Sequence, residues 1–111
     1  MSASDFDLEL QELHRKSVGR LLAADVFDRS AFTELKAYLC KKSEAIKSEH
    51  VVSKQVLSCL LDAIGLIDSR AEYLPDVRES AAMASDFHML LGLMAIGEAW
   101  GDRSPGVPRV V

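Results

Sequence analysis

The sequence predicts an all-α fold: a single-domain antiparallel helical bundle of about four helices, ending in an extended Pro/Gly tail. Apolar residues recur at spacings of three and four through most of the chain. Aromatic residues make up only 6% of it, and no Asn-Gly or Asp-Gly hairpin turn interrupts it. The 111 residues are enough for one modest hydrophobic core.

Serine and aspartate residues mark the expected starts of the first two helices. Ser4 is the expected N-cap of the first helix, with Asp5 and Asp7 favourably placed against the helix dipole. The apolar pattern fades over residues 23–30, and Ser30 is the expected N-cap of the second helix. The apolar stripes of these helices are Phe6, Leu10, Leu13 and Leu21, then Phe32, Leu35, Leu39 and Ile46.

Pro75 separates the third predicted helix from the fourth, because proline disfavours helix in the preceding residue and suits a first helical turn. The third helix is expected to begin between Ser48 and Ser53. No glycine or proline separates it from the second, so residues 31–74 form one, two or three helices on sequence grounds. The fourth is expected to end at Gly101 and to be buried on more than one side.

Three glycines, Gly65, Gly92 and Gly97, lie inside helical patterns, where each costs about 1 kcal/mol relative to alanine. We interpret them as positions of close helix packing, with a local kink as the alternative. The chain is thus expected to comprise a bundle domain over residues 1–103 and a tail over residues 104–111. Two X-Pro steps favour extended geometry in this tail, which is expected to lie across the bundle, with a partner-contacting arm and a frayed end as alternatives.

The net charge of −4 disfavours generic nucleic-acid binding, which depends on positive charge. Residues 31–60 are locally basic, with five lysines against three glutamates, and we interpret them as a solvated helix face of mixed charge. The chain shows no secretory leader and no apolar run long enough for a membrane span. We therefore expect a cytoplasmic protein with two free thiols, Cys40 and Cys59.

The residues that carry metal or acid–base chemistry are scattered. No pair has the short spacing that pre-forms half of a metal site, so we expect neither metal nor cofactor. The candidate ligands are His14, Cys40, His50, Cys59 and His88. Cys59 is expected to be a small apolar core residue, and Asp62 to lie at the polar edge of the third helix. We therefore do not expect an enzyme.

These observations favour a small acidic helical protein that acts by binding another protein, as an inhibitor, an immunity protein or antitoxin, an anti-defence protein or a chaperone-like regulator. The partner-binding candidates are Trp100, Arg103, Val107, Arg109, Lys36 and Lys47. A homodimer through the apolar helix over residues 87–100 is also expected, because an apolar patch of that size usually marks an interface.

The alternative is a dimeric, DNA-binding helical transcriptional regulator. Residues 55–74 contain a glycine between two helical stretches, as a helix-turn-helix would require. Against this alternative, the would-be recognition helix carries only Arg70 beside Asp68 and Glu72, and one helical period continues through Gly65. Nucleic acid is therefore the less favoured partner.

Overall fold

The computed structural model describes residues 6–49 and 51–99, and this part of the chain contains helices and no strand, which confirms the all-α class. The described residues form five helices, where the sequence predicts about four. The first, α1, is continuous through Leu8–His14, a π-helical segment Arg15–Gly19, and Arg20–Ala24. The others are α2 (Arg29–Ile46), α3 (Lys54–Arg70), α4 (Pro75–Glu79) and α5 (Ala82–Ala95). Within the described residues, none of these helices has both the length and the apolar character that crossing a membrane requires.

Side-chain caps mark the starts of α1, α2 and α3. Asp7 caps α1 by accepting from the backbone N–H of Leu10, while the predicted cap Ser4 lies outside the described residues. The prediction of Ser30 as a cap is wrong, because the extended backbone at Asp28 lets that carboxylate accept from Ala31 N–H instead. Ser53 caps α3, so the alternative of one continuous helix through residues 47–53 is also wrong.

The predicted fourth helix is two helices. Pro75 opens α4 as expected, but the backbone at Ser80 leaves the helical region and breaks the helix after one turn and a half. The second piece, α5, ends well before Gly101 because Gly97 has a left-handed φ of 74°. The N–H groups of Gly97 and Glu98 close the helix end by bonding to the carbonyls of Met94 and Leu93, respectively.

Close packing does not explain the other two helical glycines. Gly65 and Gly92 are both exposed, and a Cβ at either position would meet no atom of residues 6–49 and 51–99 within 4 Å. The interpretation of these two glycines as close-packing positions within the chain is therefore wrong. Gly97 is required for its backbone conformation instead, since residues with a side chain rarely adopt a positive φ.

Long-range polar contacts give the directions of α1, α2 and α3. The start of α1 meets the end of α2 through Asp7 and Lys42, whereas the end of α1 meets the start of α2 through Arg20 and Asp28. These two helices are therefore antiparallel. In contrast, Asp7–Gln55 and His14–Asp62 are two contacts with the same separation of 48 residues, so α1 and α3 run parallel.

The same argument applies to α2 and α5. Lys36 Nζ lies 2.7 Å from Asp86 Oδ2, and a Cβ at Gly97 would lie 3.5 Å from the carbonyl oxygen of Lys47. Both pairs are 50 residues apart, so α2 and α5 also run parallel. The core lies between the four long helices. Its largest fully buried side chains are Phe32, Phe87, Leu10, Leu21, Leu35, Leu39, Leu60, Ile67 and Leu90.

Candidate functional site

A groove between the parallel helices α1 and α3 is the candidate functional site, and we call it the α1–α3 groove. It has a volume of about 440 Å³ and a largely apolar lining. Leu10 and Cys59 are almost fully buried beneath it, while Phe6 remains 58% exposed at its edge. The complete lining is Phe6, Leu10, Gln11, His14, Lys54, Gln55, Ser58, Cys59 and Asp62.

At the N-terminal ends of α1 and α3, two hydrogen bonds join the side chain of Gln55 to the backbone of Asp7. Gln55 accepts from the backbone N–H of Asp7 at 2.8 Å and donates its own amide to the carbonyl oxygen of Asp7, also at 2.8 Å. One amide side chain therefore satisfies both polar backbone groups of a buried residue. This fixes the start of α1 against the first turn of α3.

The carboxylate of Asp7 connects this end of the groove to α2. It accepts from Leu10 N–H, from the Tyr38 hydroxyl and from Lys42 Nζ, the last at 2.9 Å. Burial raises the pKa of Asp7, but these donors outweigh it and lower the pKa to about 2. Burial and the bond to Asp7 raise the pKa of the Tyr38 hydroxyl. The network is therefore an ion pair with a neutral phenol at pH 7.

The groove ends about two helical turns further on, at His14 and Asp62. His14 Nε2 lies 3.4 Å from Asp62 Oδ2, and the Asp62 side chain is 51% exposed. A pair this exposed contributes little to stability. Its position matters more, because it places an imidazole and a carboxylate at the rim of the groove.

The cysteine beneath the groove does not supply a nucleophile. Cys59 is 3% exposed, and burial, helped by the nearby Asp62 charge, raises its pKa to about 12. The thiol is therefore protonated at pH 7, and the reactive thiolate form is negligible. What the groove offers is apolar surface with a polar rim, which suits binding of an apolar side chain.

The partner-binding residues predicted from the sequence lie elsewhere. Lys36 pairs with Asp86, and Lys47 lies 3.4 Å from Glu44. Lys36 lies within α2 and Lys47 caps its C-terminal end, and neither lysine lines the groove. Lys42 forms an ion pair with Asp7. Three of the five lysines in the locally basic segment, residues 31–60, therefore pair with acids. Four further candidates, Trp100, Arg103, Val107 and Arg109, lie outside the described residues.

Sequence reasoning missed the residues that shape the groove. Asp7 was singled out only for its interaction with the helix dipole, and Gln55 not at all. The signal that identifies them is the shared separation of 48 residues, which has meaning only once α1 and α3 are known to be parallel neighbours. Gly65 lies inside the continuous helix α3, so residues 54–70 contain no helix-turn-helix turn.

Within residues 6–49 and 51–99, no three His, Cys, Asp or Glu side chains come together as a metal site. Comparison of the chain with protein-family models, with curated proteins and with solved structures finds no match. The interpretation of the groove therefore rests on its own geometry.

Proposed function

We propose that the protein acts without catalysis, by binding another protein through the α1–α3 groove, as an inhibitor, immunity protein, antitoxin, anti-defence protein or chaperone-like regulator does. One observation carries this proposal. Phe6, a large aromatic residue, is 58% exposed at the edge of an apolar groove of about 440 Å³. Aromatic side chains beside an apolar depression are typical of the anchor regions of protein interfaces.

The charges at the rim of the α1–α3 groove indicate which kind of partner segment would bind there. Lys54 is exposed and has no ion-pair partner in the described part of the chain, and it lies at the end of the groove near Gln55. Asp62 lies eight residues further along α3, about 12 Å away at 1.5 Å per residue. The groove is therefore positive at one end and negative at the other.

The partner segment that fits this groove is an amphipathic helix, and this helix carries an apolar anchor residue. An acidic residue on one side of the anchor would face Lys54, and a basic residue on the other side would face Asp62. Helices recognised in apolar grooves commonly use such spaced anchors. This charge order also fixes the direction in which the helix binds.

The proposal keeps the organisation predicted from the sequence. It retains as proposals a bundle domain over residues 1–103, a tail over residues 104–111 and a cytoplasmic location. Trp100 and Arg103 are further candidates for contact with the partner. No feature of the described residues favours the DNA-binding alternative, and the acidic net charge of −4 counts against it.

Site-specific photo-crosslinking in the native host tests the proposal. A photoreactive phenylalanine analogue replaces Phe6, and the control places it at Leu22, an apolar residue of α1 with a similar exposed fraction of 61% that does not line the groove. We expect position 6 to capture one protein in stoichiometric amount, and position 22 not to capture it.

Mass spectrometry of the cross-linked peptide then identifies the contact. The proposal requires an apolar residue with an acidic neighbour on one side and a basic neighbour on the other. Equal capture from both positions, or capture by a peptide without this charge order, contradicts it. Tight binding of random duplex DNA that weakens steeply with added salt would instead favour the nucleic-acid alternative.

A further inference from the structure

The edge along which α2 and α5 run side by side forms a second surface, separate from the α1–α3 groove. Near one end Lys36 bonds to Asp86 at 2.7 Å, and near the other a Cβ at Gly97 would lie 3.5 Å from the carbonyl oxygen of Lys47. We call the surface between these two contacts the α2–α5 face.

The buried residues of α5 form one continuous side of the helix: Ala84, Phe87, Leu90, Leu93 and Met94. Ser85 and Gly92, on the outer side, are exposed, so the expectation that this helix is buried on more than one side is wrong within the described residues. Leu93 lies at the margin of the buried side, because the offset of 50 residues between the two helices places it opposite Ser43. Both of these side chains are almost fully buried, so the α2–α5 face is closed to water at its centre.

The residues of the α2–α5 face make interactions beyond those described above. Each of the following has a further hydrogen bond, ion pair, ring contact or other electrostatic interaction: Lys36, Cys40 and Ser43 of α2, Lys47 at its end, Met89 of α5, and Glu98 and Ala99 just after α5. The four positions on α2 follow one another at spacings of four, three and four, which places them on one stripe of the helix. A further segment of the chain lying along this stripe would account for all of these interactions.

The C-terminal segment, residues 100–111, begins beside the end of this stripe. Gly97 turns the chain after α5, and Ala99 is completely buried. Lys36 and Lys47 lie about 16 Å apart along α2, at 1.5 Å per residue. The twelve residues that follow Ala99 can span up to about 40 Å when extended. The C-terminal segment is therefore long enough to run back along the whole α2–α5 face.

The N-terminal segment joins the described chain elsewhere. Asp7 bonds to Tyr38 and Lys42, which lie on the side of α2 that faces α1. Residues 1–5 precede this contact, so they join the described chain on a different side of α2 from the stripe. Of the two terminal segments, the C-terminal one is the better placed to cover the α2–α5 face.

We propose that residues 100–111 lie along the α2–α5 face, antiparallel to both helices, and that Trp100 is the anchor. Ser43 is a small residue opposite Leu93, so a large ring can pack at this position. The Ser43 hydroxyl donates to the carbonyl oxygen of Cys40 at 2.6 Å, which leaves its lone pairs able to accept the indole N–H. A buried tryptophan usually has such an acceptor.

Two further properties of the segment suit this position. Asp102 follows Trp100 by two residues, where its carboxylate can pair with Lys47 at the end of α2. The steps Ser104–Pro105 and Val107–Pro108 restrict the undocked segment, which reduces the conformational entropy that docking costs.

This inference does not depend on the proposed function, because no residue of the α2–α5 face lines the α1–α3 groove. It makes the expectation of a tail lying across the bundle specific, by naming the two helices and the anchor. It also assigns Trp100 to a contact within the chain, which leaves Arg103 as the candidate of this segment for contact with a partner protein.

The single tryptophan of the chain makes a direct test possible on the full-length protein. We expect acrylamide to quench the fluorescence of Trp100 several times more slowly in the native protein than in the urea-unfolded chain. This protection should be the same at low and at high protein concentration, because the segment docks on its own chain.

Cys40 supplies a second readout, because it lies on the stripe beside Ser43. Trp100→Ala should raise the rate at which a thiol reagent modifies Cys40 at least about fivefold, since the segment over it is released more often. Cys59 should stay slow in the same variant. Tyr73→Ala is the matched control and should leave both rates unchanged, since Tyr73 is an exposed aromatic residue outside the α2–α5 face.

Circular dichroism confirms that each variant is folded. Slow quenching of Trp100, together with faster modification of Cys40 in Trp100→Ala alone, supports the docked segment. Quenching in the native wild-type protein that is as fast as in the unfolded chain overturns it, and this measurement needs no variant. Equal rates for Cys40 in wild type and in a folded Trp100→Ala chain overturn the position along the stripe. Slow quenching that is lost on dilution overturns docking within one chain and indicates a second copy instead.

Discussion

Asp7 and Gln55 exchange two hydrogen bonds of 2.8 Å across 48 residues of sequence, between the N-terminal ends of two parallel helices. The contact uses the side chain of Gln55 and the backbone of Asp7, which leaves the Asp7 carboxylate available to Tyr38 and Lys42. One residue thereby connects α1 to both α2 and α3. The α1–α3 groove depends on this connection.

Replacing Gln55 tests that connection. Gln55→Ala leaves the N–H of Asp7 without its partner in a buried position, while the Asp7 carbonyl keeps only its bond from the backbone N–H of Gln11. We expect the free energy of unfolding to fall by about 1–2 kcal/mol. Gln55→Glu should be at least as destabilising at pH 7, because it keeps the acceptor but sets a carboxylate against the Asp7 carbonyl. Urea unfolding measures both, and a loss below about 0.5 kcal/mol in both variants contradicts the assigned role.

Lowering the pH should remove the contribution that the Asp7 carboxylate makes to the free energy of unfolding. Its pKa is lowered from 3.8 to about 2 in the folded chain, so the ionised carboxylate stabilises the fold above the unfolded value. This contribution, about 2 kcal/mol for a shift of nearly two pH units, is complete above about pH 5 and is lost as the pH falls towards 2. Asp7→Asn should reduce the difference in stability between pH 5 and pH 2 by about that amount.

Asp28→Asn is the control for this experiment, because Asp28 also caps a helix and pairs with an arginine, Arg20, but at the exposed surface. Asparagine is a good N-cap, so this variant should change stability by less than about 0.5 kcal/mol. Equal losses in the two variants would mean that capping alone explains Asp7, without the contacts to Tyr38 and Lys42.

Gly65, inside α3, and Gly97, just after the end of α5, should respond oppositely to replacement by alanine. Gly65→Ala introduces a methyl group into open space within α3 and should raise the free energy of unfolding by about 0.5–1 kcal/mol. Gly97→Ala forces a side chain into a left-handed conformation and should lower it by about 1–2 kcal/mol. Thermal and urea unfolding measure the direction of the stability change in each variant. A Gly65→Ala chain that is less stable than wild type would contradict the open surroundings of Gly65.

The two thiols should differ in reactivity. Cys40 is half-buried, whereas Cys59 is 3% exposed with a pKa raised to about 12. We expect a thiol reagent at pH 8 to modify Cys40 in the native protein, and Cys59 at least about 100 times more slowly. Both should react at once in denaturant. Rapid native modification of Cys59 would show that the thiol beneath the groove is accessible.

The helix class, the start of α3 and the start of α4 at Pro75 could be predicted from the sequence because they depend on local signals. The apolar period identified α3, Ser53 was within the predicted range for its start, and Pro75 separated it from α4. The errors arose where two local signals compete. Asp28 and Ser30 are both good caps, and Gly97 is equally compatible with a helix interior and a helix end until its φ is known.

The site could not be predicted in the same way, because it depends on which helices are neighbours. Nothing in the residues near Asp7 indicates that Gln55 lies beside it, since that contact follows from the parallel pairing of α1 with α3. The lysines show the converse. Lys36 and Lys47 are partner-binding candidates on sequence grounds, but Lys36 bonds to Asp86, which the fold brings close, and Lys47 lies 3.4 Å from Glu44.

The most direct test of the central claim is a calorimetric titration of the protein captured from position 6 into three purified chains: wild type, Phe6→Ala and Leu22→Ala. Phe6 and Leu22 are similarly exposed, so neither substitution should affect folding strongly. The account predicts that Phe6→Ala weakens binding at least tenfold, because it removes an aromatic anchor, while Leu22→Ala stays within about twofold of wild type. Equal affinities for wild type and Phe6→Ala would contradict binding through the α1–α3 groove.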